Sequence, residues 1–357
     1  MIKEKTSIKH LTFDELKKKL GSMGFKEYRA GQITSWIYQH DAMSFEEMTN
    51  IAKADRDRLA ALFSITVLSL LKTERSVDGT RKFLFGLEDG HAIESVLIPD
   101  DGRQTLCISS QVGCQQACRF CLTGQGGFTR NLHFYEIADQ VLEVSRILKK
   151  ERARGITNIV LMGMGEPLAN FEEVIKAIRI IMSDRALGFS GRRLTLSTDG
   201  LVPEIDALGK AGVKVNLAVS LNATNDETRD RIMPVNRRYP LKDLLAACRR
   251  FPLEPRRRIT FEYVLLRGIN DSEDDALRLT RMLKGIRCKV NLIPFNPFPG
   301  SEFKRPEDTA IKRFQRIVQD HHYTALVRES RGRDISAACG QLRERATTEA
   351  GSLISRG

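Results

Sequence analysis

The amino-acid sequence predicts an α/β fold, a mostly parallel sheet with helices outside it, preceded by a helical module and a short β segment. Three observations predict it. Apolar residues recur at helical spacing up to about residue 65. From Leu70 they gather into short runs broken by turn residues. From Tyr135 onward, amphipathic stretches alternate with continuous apolar runs, which is the rhythm of repeated βα units.

In the first segment, Leu16, Leu20 and Met23 mark one helix face and Ile33, Trp36 and Ile37 another, with a third short helix over 55–63. Strands are then predicted at 82–87, 93–98 and 105–109, separated by Glu88-Asp89-Gly90 and Asp100-Asp101-Gly102. Beyond them, helices are predicted at 135–150, 171–183, 203–211, 241–250, 273–284 and 307–320. Strands are predicted at 158–162, 193–197, 214–220, 259–265, 289–294 and 325–329. These strands read as continuous apolar runs, as strands buried on both faces should. Such repeats build a doubly wound sheet or an open or closed barrel, and both place chemistry at the C-terminal strand ends. Four segments follow: a helical accessory domain at 1–65, a β extension at 66–103, the core at 104–345 and a flexible tail at 346–357.

Composition narrows the class. The 357 residues suffice for one large domain and a small one. Apolar stretches are short and broken by charges, so no membrane-spanning helix is expected. The opening MIKEKTSIKHL lacks the apolar run and cleavage site of a signal peptide. Seven cysteines without a disulfide-framework spacing fit a reducing cytoplasm. The 57 basic and 45 acidic residues leave a net charge of +12, which favours a polyanion such as nucleic acid. Arg249, Arg250, Arg256, Arg257 and Arg258 cluster around one connection, and Arg328, Arg331 and Arg333 form a second group. Guanidinium forks suit phosphates.

Cys114, Cys118 and Cys121 lie in the string CQQACRFC, a C-x3-C-x2-C spacing. Three thiolates on one loop can hold three corners of an iron–sulfur cube. With no fourth cysteine nearby, one iron keeps an open position that can bind and activate a small molecule. The alternatives are a zinc knot with a histidine as fourth ligand, or three thiols packed as small hydrophobes. His133 is a poor fourth ligand, because an apolar-periodic segment starts right after it.

Polar and glycine-rich residues recur at the strand ends: Gly163 to Pro167, Ser197 to Gly200, Ser220 to Asn222, Pro294 to Phe298, and the tail segment 331–340. Any one of them fits an ordinary turn. Five on the same expected face point to a ligand pocket.

The thiol spacing, followed on the next strand end by a Gly-Glu-Pro element, resembles the radical S-adenosylmethionine superfamily. More closely, CISSQVGCQQACRFCLTGQGGFTRNL at 107–132, GMGEPL at 163–168, NLIPFNPFPG at 291–300 and RGRDISAACGQL at 331–342 resemble the RlmN/Cfr family of radical S-adenosylmethionine RNA methyltransferases. The likeness spans nearly the whole chain. It implies a partial (β/α)6 barrel with the helical accessory domain contacting RNA. Two positions depart from the pattern: Asn222 where a histidine is expected, and Asp199 where serine or valine is commoner.

The resemblance further implies that Cys114, Cys118 and Cys121 bind a [4Fe-4S] cluster, with S-adenosylmethionine chelating the fourth iron. Gly165 and Glu166 would meet its amino end, and Ser197, Ser220, Leu221, Asn222 and Asn296 its other groups. Adenine C2 is electron-poor and lacks a lone pair for ordinary methyl transfer, whereas a carbon radical can add there. The implied route uses two molecules of S-adenosylmethionine. One methylates Cys339; the other, reductively cleaved, yields a radical that takes a hydrogen from the S-methyl group. The carbon adds to the base, Glu94 accepts a proton, and a Cys107–Cys339 disulfide releases the product. The implied substrates are adenosine 2503 of 23S rRNA and adenosine 37 of tRNA, with C8 methylation of 23S rRNA as the alternative. An electron donor such as flavodoxin or ferredoxin, a monomeric state and a cytoplasmic setting, with no membrane partner, complete the expectation. Cys248 and Cys288 read as core thiols.

Overall fold

The computed structural model describes residues 5–342. The expected tail at 346–357 and the last three positions of the expected core lie outside the described residues. The chain divides into two compact units. One joins the residues up to Ser69 with His133–Gly155 and Glu172–Ser190; the other joins Leu70–Leu132, Ile156–Phe171 and the chain from Gly191 on.

The first unit is helical. Thr12 and Glu15 close a capping box on the helix Phe13–Ser22, satisfying peptide N–H groups that a helix start leaves unpaired. The helices Arg29–Tyr38 and Lys53–Leu62 follow. Leu16, Leu20, Ile33 and Ile37 meet in one core with Ile8, Phe45 and Met48, and Met23 and Trp36 pack at its margin. Thr6–Ser7 pairs in parallel with Phe63–Ser64, which ties the start of this module to its end. Lys9 and Asp139, from the helix Phe134–Lys150, form a buried ion pair within the unit.

The second unit is built on ten strands. They are β1 (Ser69–Arg75), β2 (Arg81–Gly86), β3 (Ala92–Asp100), β4 (Arg103–Cys107), β5 (Asn158–Leu161), β6 (Leu194–Thr198), β7 (Asn216–Ser220), β8 (Ile259–Leu265), β9 (Cys288–Pro294) and β10 (Ala325–Val327). They lie in the order β10-β9-β8-β7-β6-β5-β4-β3-β2-β1. All pairings from β4 to β10 are parallel, whereas β2–β3 and β3–β4 are antiparallel. A doubly wound sheet reverses its strand order at a switch point. Here chain order and spatial order coincide, so the fold is the open, partial (β/α) barrel.

The parallel array has one strand more than the six expected. The segment read at 105–109 pairs in parallel with β5, and the long connection that follows it is the crossover that parallel pairing requires. Two of the elements not foreseen show why. The helix Asp226–Ile232 reads DETRDRI and has no apolar stripe; it is capped by Asn225, whose side chain accepts from the Thr228 peptide. Strand β1 is an edge strand and mostly exposed, so it carries no buried pattern to read.

Candidate active site

The thiol loop leaves a short hairpin, Gln111–Gly113 against Phe128–Asn131, just beyond β4. The Cys114 peptide donates to the Gly127 carbonyl at 2.7 Å and the Cys121 peptide to the Cys118 carbonyl at 3.1 Å. The helical turn Leu122–Gln125 presses on this loop. A Cβ at Gly124 would lie 2.9 Å from the Cys118 nitrogen, so only glycine permits the approach. All three thiols line one pocket at the C-terminal strand ends. Burial pushes the Cys114 and Cys118 thiols up, and the Asp199 charge adds to this, so metal ligation would have to displace their protons. Among the described residues, no three His, Cys, Asp or Glu side chains converge as ligands of a single ion. Three thiols lining one pocket can each bind a different metal atom of a polynuclear cluster.

The facing wall comes from the ends of β5, β6 and β7. Gly165 sits at φ +95°, and a Cβ there would fall 2.4 Å from the Gln111 Cβ. Glu166 braces its surroundings: its carboxylate accepts from the Leu168 peptide at 2.9 Å and from the Asp199 peptide at 2.7 Å. Burial, then the Asp199 charge, raises the Glu166 carboxyl well above its ordinary value. Asp199 lines the pocket too, and accepts from the Cys118 thiol at 3.3 Å. Arg229, fully buried, ties these ends together. It donates to the carbonyls of Asp199 (2.7 Å), Ser220 (3.1 Å) and Leu221 (3.0 Å) and to the side chain of Asn236 (3.0 Å).

Ser197, Ser220 and Asn222 line the pocket. Leu221 does not: it is fully buried and its peptide donates to the Glu262 carbonyl at 2.9 Å. Successive side chains along an extended chain point to opposite faces, so the residue between two pocket-facing neighbours turns into the core. Asn222 adopts φ +57°, a left-handed conformation that asparagine tolerates, and its Oδ1 accepts from the Val264 peptide at 2.8 Å.

The tail closes the pocket. Asn296 donates to the Cys339 carbonyl at 3.2 Å and leaves its own Oδ1 buried without a partner. The Leu122 peptide donates to the Gly340 carbonyl at 2.7 Å, and the Thr123 hydroxyl to the Leu342 carbonyl at 2.5 Å. Cys339 is exposed at the pocket, and it also lines an adjoining cavity that holds Cys107. All seven cysteines are free. Burial, with Cys339 second, pushes the Cys107 thiol up to about 12. Glu94 lines neither space. It is buried on β3, 3.1 Å from the Lys82 ammonium, and its peptide nitrogen lies 3.4 Å from the Met164 sulfur.

Residues 108–280 match the Radical SAM superfamily, and residues 6–65 match the ribosomal RNA large subunit methyltransferase N-terminal domain. A protein of Pelobacter propionicus named dual-specificity RNA methyltransferase RlmN is 56% identical over 340 residues, covering 95% of this chain and 96% of its own. The chain belongs to the RlmN family. The Geobacter sulfurreducens RlmN is 57% identical over 336 residues, 94% of this chain and 91% of its own. The crystal structure of a radical SAM methyltransferase from Sphaerobacter thermophilus superposes with a TM-score of 0.89 at 46% identity, covering 95% of this chain and 99% of that one.

As a radical SAM enzyme, a member of the RlmN family uses an iron–sulfur cluster and S-adenosylmethionine. The residues here fit both, with three thiols and an unsatisfied Asn296 carbonyl oxygen lining one pocket. No helix among the described residues is long and apolar enough to cross a membrane. Sequence reasoning missed Arg229, Glu262 and Arg328 as parts of the site. A charged residue on a helix or strand reads as solvated, and Arg229 sits in a helix with no apolar stripe to betray its burial. Arg328 was grouped with Arg331 and Arg333 as suited to phosphates, yet it lines the same cavity as Cys107.

Proposed function

We propose that this RlmN-family enzyme methylates C2 of adenosine in 23S rRNA and in tRNA, with Cys339 as the methyl carrier. The observation that carries the reading is the position of Cys339, at the junction between the pocket lined by three clustered thiols and the cavity that holds Cys107. The accompanying site assignment is a [4Fe-4S] cluster on Cys114, Cys118 and Cys121. S-adenosylmethionine would lie along Gly165, Glu166, Ser197, Ser220, Asn222 and Asn296, and Leu221 would contribute only backbone. Two molecules are used per turnover. The segment 1–65 is proposed as the RNA-contacting domain, and a flavodoxin or ferredoxin as the one-electron donor to a monomeric, cytoplasmic enzyme.

Cluster and donor together supply one-electron cleavage of a sulfonium and an electrophilic methyl group. The protein's own groups do the rest. Cys339 presents its sulfur at the pocket, where it forms a bond to the methyl carbon as the sulfonium C–S bond breaks. Once that carbon has been joined to adenine C2, and the adduct has given up the C2 proton and returned one electron to the one-electron carrier, the Cys107 sulfur attacks the Cys339 sulfur. The S–S bond forms, the S–CH2 bond breaks toward the base, and the new methyl group takes up a proton. Glu94, linked to the pocket wall through Met164, is the proposed acceptor of the C2 proton. The target base has to leave its stack, at about a few kcal/mol, a cost that phosphate contacts by the basic surface offset.

Nucleoside mass spectrometry of treated 23S rRNA tests the reading: 2-methyladenosine is expected, and 8-methyladenosine would overturn the regiochemistry. Cys107→Ala should leave RNA covalently attached through Cys339. Free, fully methylated RNA from that variant would remove Cys107 from the release step.

A further inference from the structure

Arg328 follows β10 directly, and its peptide nitrogen donates to the Leu292 carbonyl of β9 at 2.8 Å. Its side chain turns inward. Nη1 lies 3.9 Å from the Met162 sulfur and 3.8 Å from Glu262 Oε1. Arg328, Met162, Cys107 and Cys339 line one cavity. Glu262, on β8, is buried and lines the neighbouring pocket together with Cys339; its Oε1 has no hydrogen-bond partner. One guanidinium and one carboxylate with a free lone pair therefore line the two spaces that Cys339 joins. The electrostatics agree with this geometry. Desolvation raises the Cys339 thiol overall; Arg328 is the strongest influence pulling it down, and it also lowers Cys107. In return, Cys339 is the largest cause of the upward shift of Arg328.

We propose that Arg328 is a positioning residue that favours the thiolate form of Cys339 for methyl uptake and for exchange with Cys107. This rests on the reading of Cys339 as methyl carrier. In the step it serves, the Cys339 thiol loses its proton to solvent through the cavity. The sulfur pair then forms the S–CH3 bond while the sulfonium C–S bond breaks, its electrons leaving on the thioether. The S-methyl product carries no charge, and Glu262 remains as the partner of the guanidinium. Glu262 works against the thiolate and in favour of the arginine, so the two residues have opposite signatures at Cys339.

The test uses full-length, anaerobically isolated, cluster-loaded enzyme, whose ligand cysteines are occupied. The rate of Cys339 alkylation by iodoacetamide at about pH 8 is read by peptide mass spectrometry. If Arg328→Gln raises the thiol by about one pH unit, the thiolate fraction falls about tenfold. Each thiolate becomes about threefold more nucleophilic, which leaves a net slowing of about threefold. Arg328→Lys should restore most of the rate, and Glu262→Gln should increase it. Cys248, which is buried, should stay unlabelled throughout and reports an intact fold. A wild-type rate in Arg328→Gln with Cys248 protected overturns the proposal. Where Arg328→Gln exposes Cys248, Glu262→Gln decides, and an unchanged or slower rate there overturns it. An unchanged Cys339 rate accompanied by weaker binding of an RNA hairpin would overturn it in favour of a phosphate-gripping role. The methyl-carrier reading fails separately, when Cys339 shows the expected rates but gains no methyl group from S-adenosylmethionine.

Discussion

Arg229→Met removes a buried guanidinium while keeping much of its volume. Four acceptors lose their donor: the carbonyls of Asp199, Ser220 and Leu221, and the Asn236 side chain. A buried acceptor left unpaired costs about 1–3 kcal/mol, and relief from burying the charge offsets part of the sum. A net loss of about 3–5 kcal/mol is expected. With a urea slope of about 3 kcal/mol per molar, this moves the unfolding midpoint of the sheet unit down by about 1 M. Arg229→Lys, with three donors in another geometry, should lose about half as much. Far-UV circular dichroism in urea reads both. Because the same carbonyls fix the ends of β6 and β7, equilibrium dialysis should also show weaker S-adenosylmethionine binding in Arg229→Met. A midpoint within about 0.2 M of wild type would refute the idea that this residue ties the strand ends together.

Gly165→Ala places a Cβ 2.4 Å from that of Gln111 at φ +95°, so it should displace the Gln111 amide that accepts from the Glu166 peptide and weaken S-adenosylmethionine binding at least tenfold; binding within twofold would contradict this. Asn222→Val puts a branched residue at φ +57°, at a cost of about 2 kcal/mol, while Asn222→His should lose less than about 1 kcal/mol, both read by urea unfolding. Burial pushes the Cys248 thiol up to about 12 from its ordinary value of 9.0, so the folded chain keeps a proton that the unfolded chain gives up. Its contribution is complete below about pH 9 and is lost as pH rises from there toward 12. The stability of wild type relative to Cys248→Val should therefore fall by about 1.4 kcal/mol per pH unit above pH 9, and a pH-independent difference would contradict it.

The parallel core was legible because each βα unit carries its own pattern. The run at 259–265 is buried at all but one position and coincides with β8. What the apolar pattern left open, a doubly wound sheet or a barrel, is a question of strand order, which no single segment encodes. The thiol loop, the Gly-Glu turn and Cys339 were readable because spacing within a short motif survives folding as proximity. Leu221 was included because three consecutive residues were read as one strand end, whereas alternation presents only every second side chain to one face. The groups that bind the site together were invisible for a different reason. Arg229, Glu262 and Arg328 come from three distant segments, and their meaning lies in burial beside one another.

Cys339 as carrier of the transferred carbon is the central claim, and one measurement addresses it directly. Cluster-loaded enzyme is incubated with S-adenosylmethionine bearing a trideuterated methyl group, one portion without RNA and one with it, and the cysteine peptides and RNA nucleosides are weighed. The account predicts the trideuteromethyl group on Cys339 and on no other cysteine, with one deuterium lost on passage to RNA. Label that reaches RNA while Cys339 stays unmodified would contradict it.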